Sequence, residues 1–143
     1  MFIGEYKHTI DTKKRLALPA KFRKELGQTV VITRWFDNCL VVFTEKEWQV
    51  LSEKWGNLPS GQSEARGLAR VLLAGAMAVD LDNLGRVLIP EYLKKYADLK
   101  KNVTICGLFN RLEIWDEEKW EKYKNQTEKA VGDFGEKLKE LGI

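Results

Sequence analysis

The stretch Asp11-Thr-Lys-Lys-Arg15-Leu-Ala-Leu-Pro19-Ala-Lys-Phe22-Arg23 returns later in the chain as Asp82-Asn-Leu-Gly-Arg86-Val-Leu-Ile-Pro90-Glu-Tyr-Leu93-Lys94. Asp, Arg and Pro coincide at a constant offset of 71, and apolar residues fill the same positions between them. Beyond it, Val30-Val-Ile32 answers Val103-Thr-Ile105, and Leu40-Val-Val-Phe43-Thr-Glu-Lys-Glu-Trp48 answers Leu112-Glu-Ile-Trp115-Asp-Glu-Glu-Lys-Trp120. A repeat of this length and order is a duplicated supersecondary unit.

Each copy reads as extended chain (Glu5 to Ile10; Ala76 to Leu81), then a tight turn headed by Asp11 or Asp82, whose carboxylate can accept amide hydrogen bonds. Gly85 suits a turn position with positive φ, and Lys14, its match, is a poor guest there. Short strands follow, with Leu16 and Leu18, or Val87 and Ile89, on one face and the leading arginine on the other. Pro19 and Pro90 stand where a helix can begin. Two further strands close each copy, and Thr44 and Asp116 cap the helices that follow, with Trp48 or Trp120 on the first inward turn. Asn57-Leu-Pro59-Ser-Gly61 is the one evident linker, with a helix from about Ser63 to Leu73 after it. This divides the chain into residues 1–56, a connecting segment 57–75, and residues 76–143. A long C-terminal helix is expected to carry Thr127, Val131, Phe134, Leu138 and Leu141 along one stripe.

The remaining composition narrows the function classes. The chain has 143 residues, 44% hydrophobic and 31% charged, which is globular composition. Its longest apolar run, Val71 to Val79, falls short of a bilayer span, and MFIGEYKHTID lacks the pattern of a secretory signal, so a cytoplasmic protein is expected. Two distant cysteines, Cys39 and Cys106, and one histidine, His8, cannot make a four-ligand zinc site, so no metal is expected. No glycine-rich phosphate loop occurs. Asp11 and Asp82 invite comparison with a proton-sharing carboxylate pair, but the cations after Asp11 favour ionised carboxylates, and catalysis is not expected.

Charge is unevenly placed. Residues 1–35 carry eight basic side chains against three acidic ones, whereas residues 113–143 carry nine acids and six lysines. A basic front end suits an anionic partner. Arg15 and Arg86 at the heads of two related strands can enter a DNA groove, where arginine reads guanine with two hydrogen bonds. Lys13, Lys14, Lys21 and Arg23 can neutralise phosphates. On spacing alone a second role stays open, in which each arginine bridges back to its aspartate and only braces the turn.

With the Asp-x-x-x-Arg-x-x-x-Pro repeat, AKFR (Ala20 to Arg23) and DNLGRVLIP (Asp82 to Pro90) in view, the chain resembles the MraZ family of bacterial transcriptional regulators, relatives of AbrB-like transcription factors. The resemblance implies an α+β fold in which a duplicated strand and helix unit forms a swapped-hairpin, double-psi type β-barrel with appended helices. It further implies a ring-shaped homo-oligomer that binds direct repeats in double-stranded DNA of its own promoter, usually to repress the division and cell-wall gene cluster, at the nucleoid. The family motif falls on Asp11, Lys13, Lys14 and Arg15, and on Asp82, Gly85 and Arg86, with the arginines as DNA contacts and Asp11, Asp82, Gly85, Pro19 and Pro90 shaping the turns. Lys14 departs from the glycine of that motif. No cofactor, membrane or small-molecule substrate is implied. The C-terminal stripe and the Trp35 region are the candidate subunit contacts. The competing reading is a ring-forming interaction module whose basic turns hold another anionic partner.

Overall fold

The computed structural model describes all 143 residues. The duplication is visible at once in the element order. The first copy contributes β1 (Phe2–Thr9), β2 (Arg15–Ala17), a 3-10 turn (Ala20–Phe22), α1 (Arg23–Leu26), β3 (Thr29–Arg34) and β4 (Leu40–Thr44). Helices α2 (Glu45–Gly56) and α3 (Ser63–Ala74) follow. The second copy contributes β5 (Met77–Asp80), β6 (Arg86–Leu88), α4 (Glu91–Tyr96), β7 (Asn102–Phe109) and β8 (Leu112–Asp116), and α5 (Glu117–Ala130) leaves it.

The copies exchange strands. β1 pairs antiparallel with β7 of the other copy, while β5 pairs with β3, so each unit's first strand completes its partner's sheet. The result is one antiparallel sheet in the order β1-β7-β8-β4-β3-β5 and a separate ribbon of β2 with β6. At the register pair Gly4 and Gly107, a Cβ on Gly107 would run into the backbone of Phe2 and Ile3, so the bare backbone permits the close approach.

This corrects the expectation of a closed β-barrel. The end strands β1 and β5 do not pair with each other, and the β2–β6 ribbon touches the rest of the ladder through a single Ile10–Leu16 bridge. Proline explains the separation: Pro19 and Pro90, one residue beyond the ribbon's cross-strand bonds, have no N–H to extend a ladder and instead cap the turns that start α1 and α4. The fold is α+β, as expected.

Leu16, Leu18, Val87 and Ile89 form the inward face of the ribbon, all fully buried, and meet Phe22, Leu26, Val30, Ile32, Leu93 and Ile105 in one core. The expected pairs Phe22 with Leu26 and Leu93 with Ala97 are buried there. Helix α3 is held to β3 where Thr33 Oγ1 donates to the Leu72 carbonyl at 2.7 Å. The expected caps form: Thr44 accepts from the Glu47 amide and Asp116 from the Lys119 amide. Trp48 and Trp55 lie half-buried with Trp35, Phe36 and Phe43 in an aromatic layer outside the core, and Trp120 stacks with Trp115 and Tyr123.

The C-terminal helix is not continuous. α5 ends at Ala130, a 3-10 turn spans Val131–Phe134, and α6 (Gly135–Glu140) follows. Gly132 lies within the break and Gly135 directly after it, both with low helix propensity. Val131, Phe134, Leu138 and Leu141 are exposed. No helix is long and apolar enough to cross a membrane.

Candidate nucleic-acid interface

The two turns are near copies of each other in space. In the first, Asp11 Oδ1 accepts from the Lys13 and Arg15 amides, both at 2.9 Å, and Asp11 Oδ2 accepts from Arg15 Nε at 2.8 Å. In the second, Asp82 Oδ1 accepts from the Leu84 and Arg86 amides at 2.9 and 2.8 Å, and Oδ2 from Arg86 Nε at 2.8 Å. The turn residues then reach across the pseudo-two-fold axis. The Ile89 amide donates to the Lys14 carbonyl at 2.9 Å, and the Leu18 amide to the Gly85 carbonyl at 3.0 Å. Both turns therefore need a residue at positive φ, and they have one: Lys14 at φ 62° and Gly85 at φ 73°.

These bonds fix the electrostatics. The amide of Arg15, followed by its guanidinium, holds the Asp11 carboxyl below its ordinary value, and Arg86 does the same for Asp82. Both aspartates are thus held ionised, each by its own turn, which is the opposite of a pair sharing one proton. Each aspartate engages its arginine only through Nε. The terminal nitrogens of both guanidiniums bond nothing in the protein, so bracing and presentation coexist: the carboxylate steers the fork and leaves its two-pronged end free.

The strand register sets where the forks stand. Arg15 pairs with Leu88, Leu16 with Val87, and Ala17 with Arg86. Leu16 and Val87 point inward, so Arg15, Ala17, Arg86 and Leu88 share the outward face. The two arginines are diagonal neighbours, whose Cα atoms stand about 7–8 Å apart in an antiparallel pair. A two-stranded ribbon is narrow enough for the major groove of B-DNA.

The other basic residues are not equivalent. Lys13 is exposed at the first turn, whereas Lys14 Nζ forms an ion pair with Glu91 at 2.6 Å. Lys21 lies over the Tyr6 and Phe22 rings with its ammonium 5.5 and 5.8 Å from their centroids. Arg23 is half-buried: it lies across Gly85, Nη2 reaches the Leu18 carbonyl at 3.5 Å, and Nε has no partner. Three cations that sequence reading did not single out, Lys94, Lys100 and Lys101, line an open depression of about 540 Å³ with Thr9 to Thr12, directly beside the first turn. Lys94 could have been found, because it is the repeat-mate of Arg23; the other two come near only through the fold.

The remaining candidates stay apart from this face. Cys39 and Cys106 are buried beside Trp115, and burial raises both thiols, Cys106 to about 12. His8 is half-buried in β1, where burial and then the Arg23 charge lower its pKa. Trp35, a candidate subunit contact, packs against Phe36, Phe43 and Trp55 and accepts a 2.7 Å hydrogen bond from Tyr96 at its carbonyl. No group of histidine, cysteine and carboxylate side chains is placed to hold a metal.

Comparison with known proteins points one way. A family model described as "MraZ protein, putative antitoxin-like" matches residues 1–71 and again 72–135. Along its whole length the chain is 46% identical to a protein of Caldicellulosiruptor saccharolyticus, 45% to one of Natranaerobius thermophilus and 43% to one of Clostridium tetani, and each of these is covered in full. All three are named transcriptional regulator MraZ.

Proposed function

The chain belongs to the MraZ family, whose named relatives are transcriptional regulators and not enzymes, and from that premise we propose that it is a sequence-specific regulator that reads DNA through the β2–β6 ribbon. The observation that carries this reading is the pair of guanidiniums on one outward face, each pinned at Nε by its own aspartate with its terminal nitrogens unpaired. Both side chains spring from diagonal neighbours on a ribbon that fits the major groove. They are the guanine-reading elements. Lys13, Lys14, Lys21 and Arg23, with Lys94, Lys100 and Lys101, supply phosphate contacts around them. Asp11, Asp82, Gly85, Pro19 and Pro90 shape the turns.

Residues 1–56 and 76–143, with 57–75 between, act in this proposal as two halves of one reading head, and their exchanged strands are a swapped-hairpin arrangement. The weak net charge of +3 gives one subunit little grip, so the regulator works as a homo-oligomeric ring in which several heads engage direct repeats of its own promoter. It acts at the nucleoid to repress the division and cell-wall genes. The exposed stripe of Val131, Phe134, Leu138 and Leu141 is the subunit contact.

The test is fluorescence-anisotropy titration of the duplex upstream of its own gene against a shuffled duplex, over a range of salt. A preference on the order of a thousandfold, weakening with salt and lost in Arg15→Ala and Arg86→Ala while the proteins stay folded and lose at most about 1 kcal/mol with the Nε pair, is the expected result. Equal binding to both duplexes overturns the proposal and leaves a module for some other anionic partner.

A further inference from the structure

The outward face of the ribbon is symmetric in its arginines but not in what stands beside them. Arg15 faces Leu88 across the ribbon, and at the two-fold-related place Arg86 faces Ala17. Leu88 lies between two fully buried residues, Val87 and Ile89, yet is itself 57% exposed. Strand alternation turns it outward, and more than half of it stays open to solvent. A leucine in this place offers an apolar surface next to a guanidinium, from which contact with another apolar group expels water. Directly opposed side chains in an antiparallel pair begin about 5 Å apart, little more than one base-pair step. In the major groove the one apolar group on any base edge is the thymine 5-methyl.

We infer that Leu88 is a specificity-determining residue that packs on a thymine methyl beside the guanine taken by Arg15. The inference rests on the DNA-reading function proposed above and assigns it a second, non-hydrogen-bonding contact. It also makes the reading head directional. The Arg15–Leu88 half recognises a guanine next to a thymine, whereas the Arg86–Ala17 half, with a side chain too short to reach, recognises a guanine without that neighbour. The pseudo-two-fold fold therefore reads a site that is not palindromic.

The discriminating probe is the upstream duplex with its thymines replaced one at a time by uracil, which removes only the 5-methyl. Wild-type protein is expected to lose about fourfold in affinity at one thymine adjacent to a guanine in each repeat, the worth of one buried methyl group. The Leu88→Ala variant is expected to bind the thymine and uracil duplexes equally, and Ala17→Leu to acquire methyl sensitivity at a second position. Wild-type indifference to every replacement, or a variant that keeps the wild-type difference, overturns the role of Leu88 while specific binding itself stands. A wild-type protein that fails to separate native from shuffled duplex overturns the parent reading and this inference together.

Discussion

Gly85→Ala measures how much the second turn depends on its backbone. Gly85 is buried at φ 73°, where an L residue loses about 1–2 kcal/mol to steric conflict. A Cβ there also meets Arg23, with its Cδ at 2.6 Å, so that side chain must leave its rotamer at a cost of about 0.5–1.5 kcal/mol. Alanine reduces unfolded-chain freedom, which returns about 0.4–1 kcal/mol. The net is about 1–3 kcal/mol of destabilisation, or roughly 3–9 °C in Tm for a chain of this size. The assay is chemical denaturation followed by tryptophan fluorescence, supported by thermal melts. Because the Gly85 carbonyl accepts from the Leu18 amide across the ribbon, the same change should also disturb Arg86 and weaken binding to the upstream duplex. The first turn supplies the internal control. Lys14 already occupies φ 62°, so Lys14→Gly relieves comparable strain, gives part of it back as unfolded-state entropy, and loses an exposed ion pair with Glu91 of small worth. It should be neutral to about 1 kcal/mol stabilising. A Gly85→Ala protein within about 0.5 kcal/mol of wild type, or a Lys14→Gly protein clearly less stable than wild type, would refute the strain argument.

Acid titration should show a related signature. Asp11 and Asp82 have pKa values lowered in the fold, so their stabilisation is present above the ordinary carboxylate range and is lost as pH falls through the lowered values. In Asp11→Asn and Asp82→Asn, denaturation midpoints measured from neutral pH down to pH ~2 should fall less steeply than in wild type, and an unchanged slope would remove the turns from the acid response. Both cysteines should resist a thiol reagent at neutral pH and react only on unfolding, since burial pushes Cys106 to about 12 and Cys39 upward as well; rapid labelling of native protein would contradict their burial. Trp120 Nε1 donates to Glu5 at 2.7 Å and ties α5 to β1, so Trp120→Phe should cost about 0.5–1 kcal/mol, with faster amide exchange in α5 as the check. Thr44→Ala removes the cap of α2 and should lower stability by about 1 kcal/mol in denaturant melts, with no effect on the affinity for the upstream duplex.

Much of this architecture is legible in the sequence because it is locally encoded. Asp followed four residues later by Arg prescribes a carboxylate that takes two amides and an Nε, and both turns form it. The alternation of Leu16 with Leu18, and of Val87 with Ile89, places four buried side chains and by elimination sends the arginines outward. What escaped the reading depends on partners far along the chain. The closed barrel was an inference from resemblance, and two prolines at the ribbon ends stop the ladder before closure. The lysine-lined depression beside Asp11 draws on residues about ninety positions away, which no local pattern exposes. The sequence offers Arg23 as a phosphate contact but gives no sign that it lies over Gly85, where the missing Cβ leaves room for it. The apolar stripe of the last helix and the glycines that weaken it, Gly132 and Gly135, are both visible in the sequence; the stripe favours one continuous helix, and the glycines decide the outcome by breaking it.

The exchange of first strands has a consequence for how the protein is made. β1 finds its ladder partner only in β7, and Phe2 lies opposite Phe109, so the first 109 of 143 residues must be synthesised before the amino-terminal strand can dock along its length. Until then the nascent first copy carries an unpaired β1, and its β4 edge stays uncovered until β8 emerges, the exposures that favour mispairing. Long-range closure of this kind also slows the search for the native pairing. A second polypeptide folding nearby presents the same two complementary halves, so strand exchange between chains competes with strand exchange within one, and the rate of synthesis helps to decide between them.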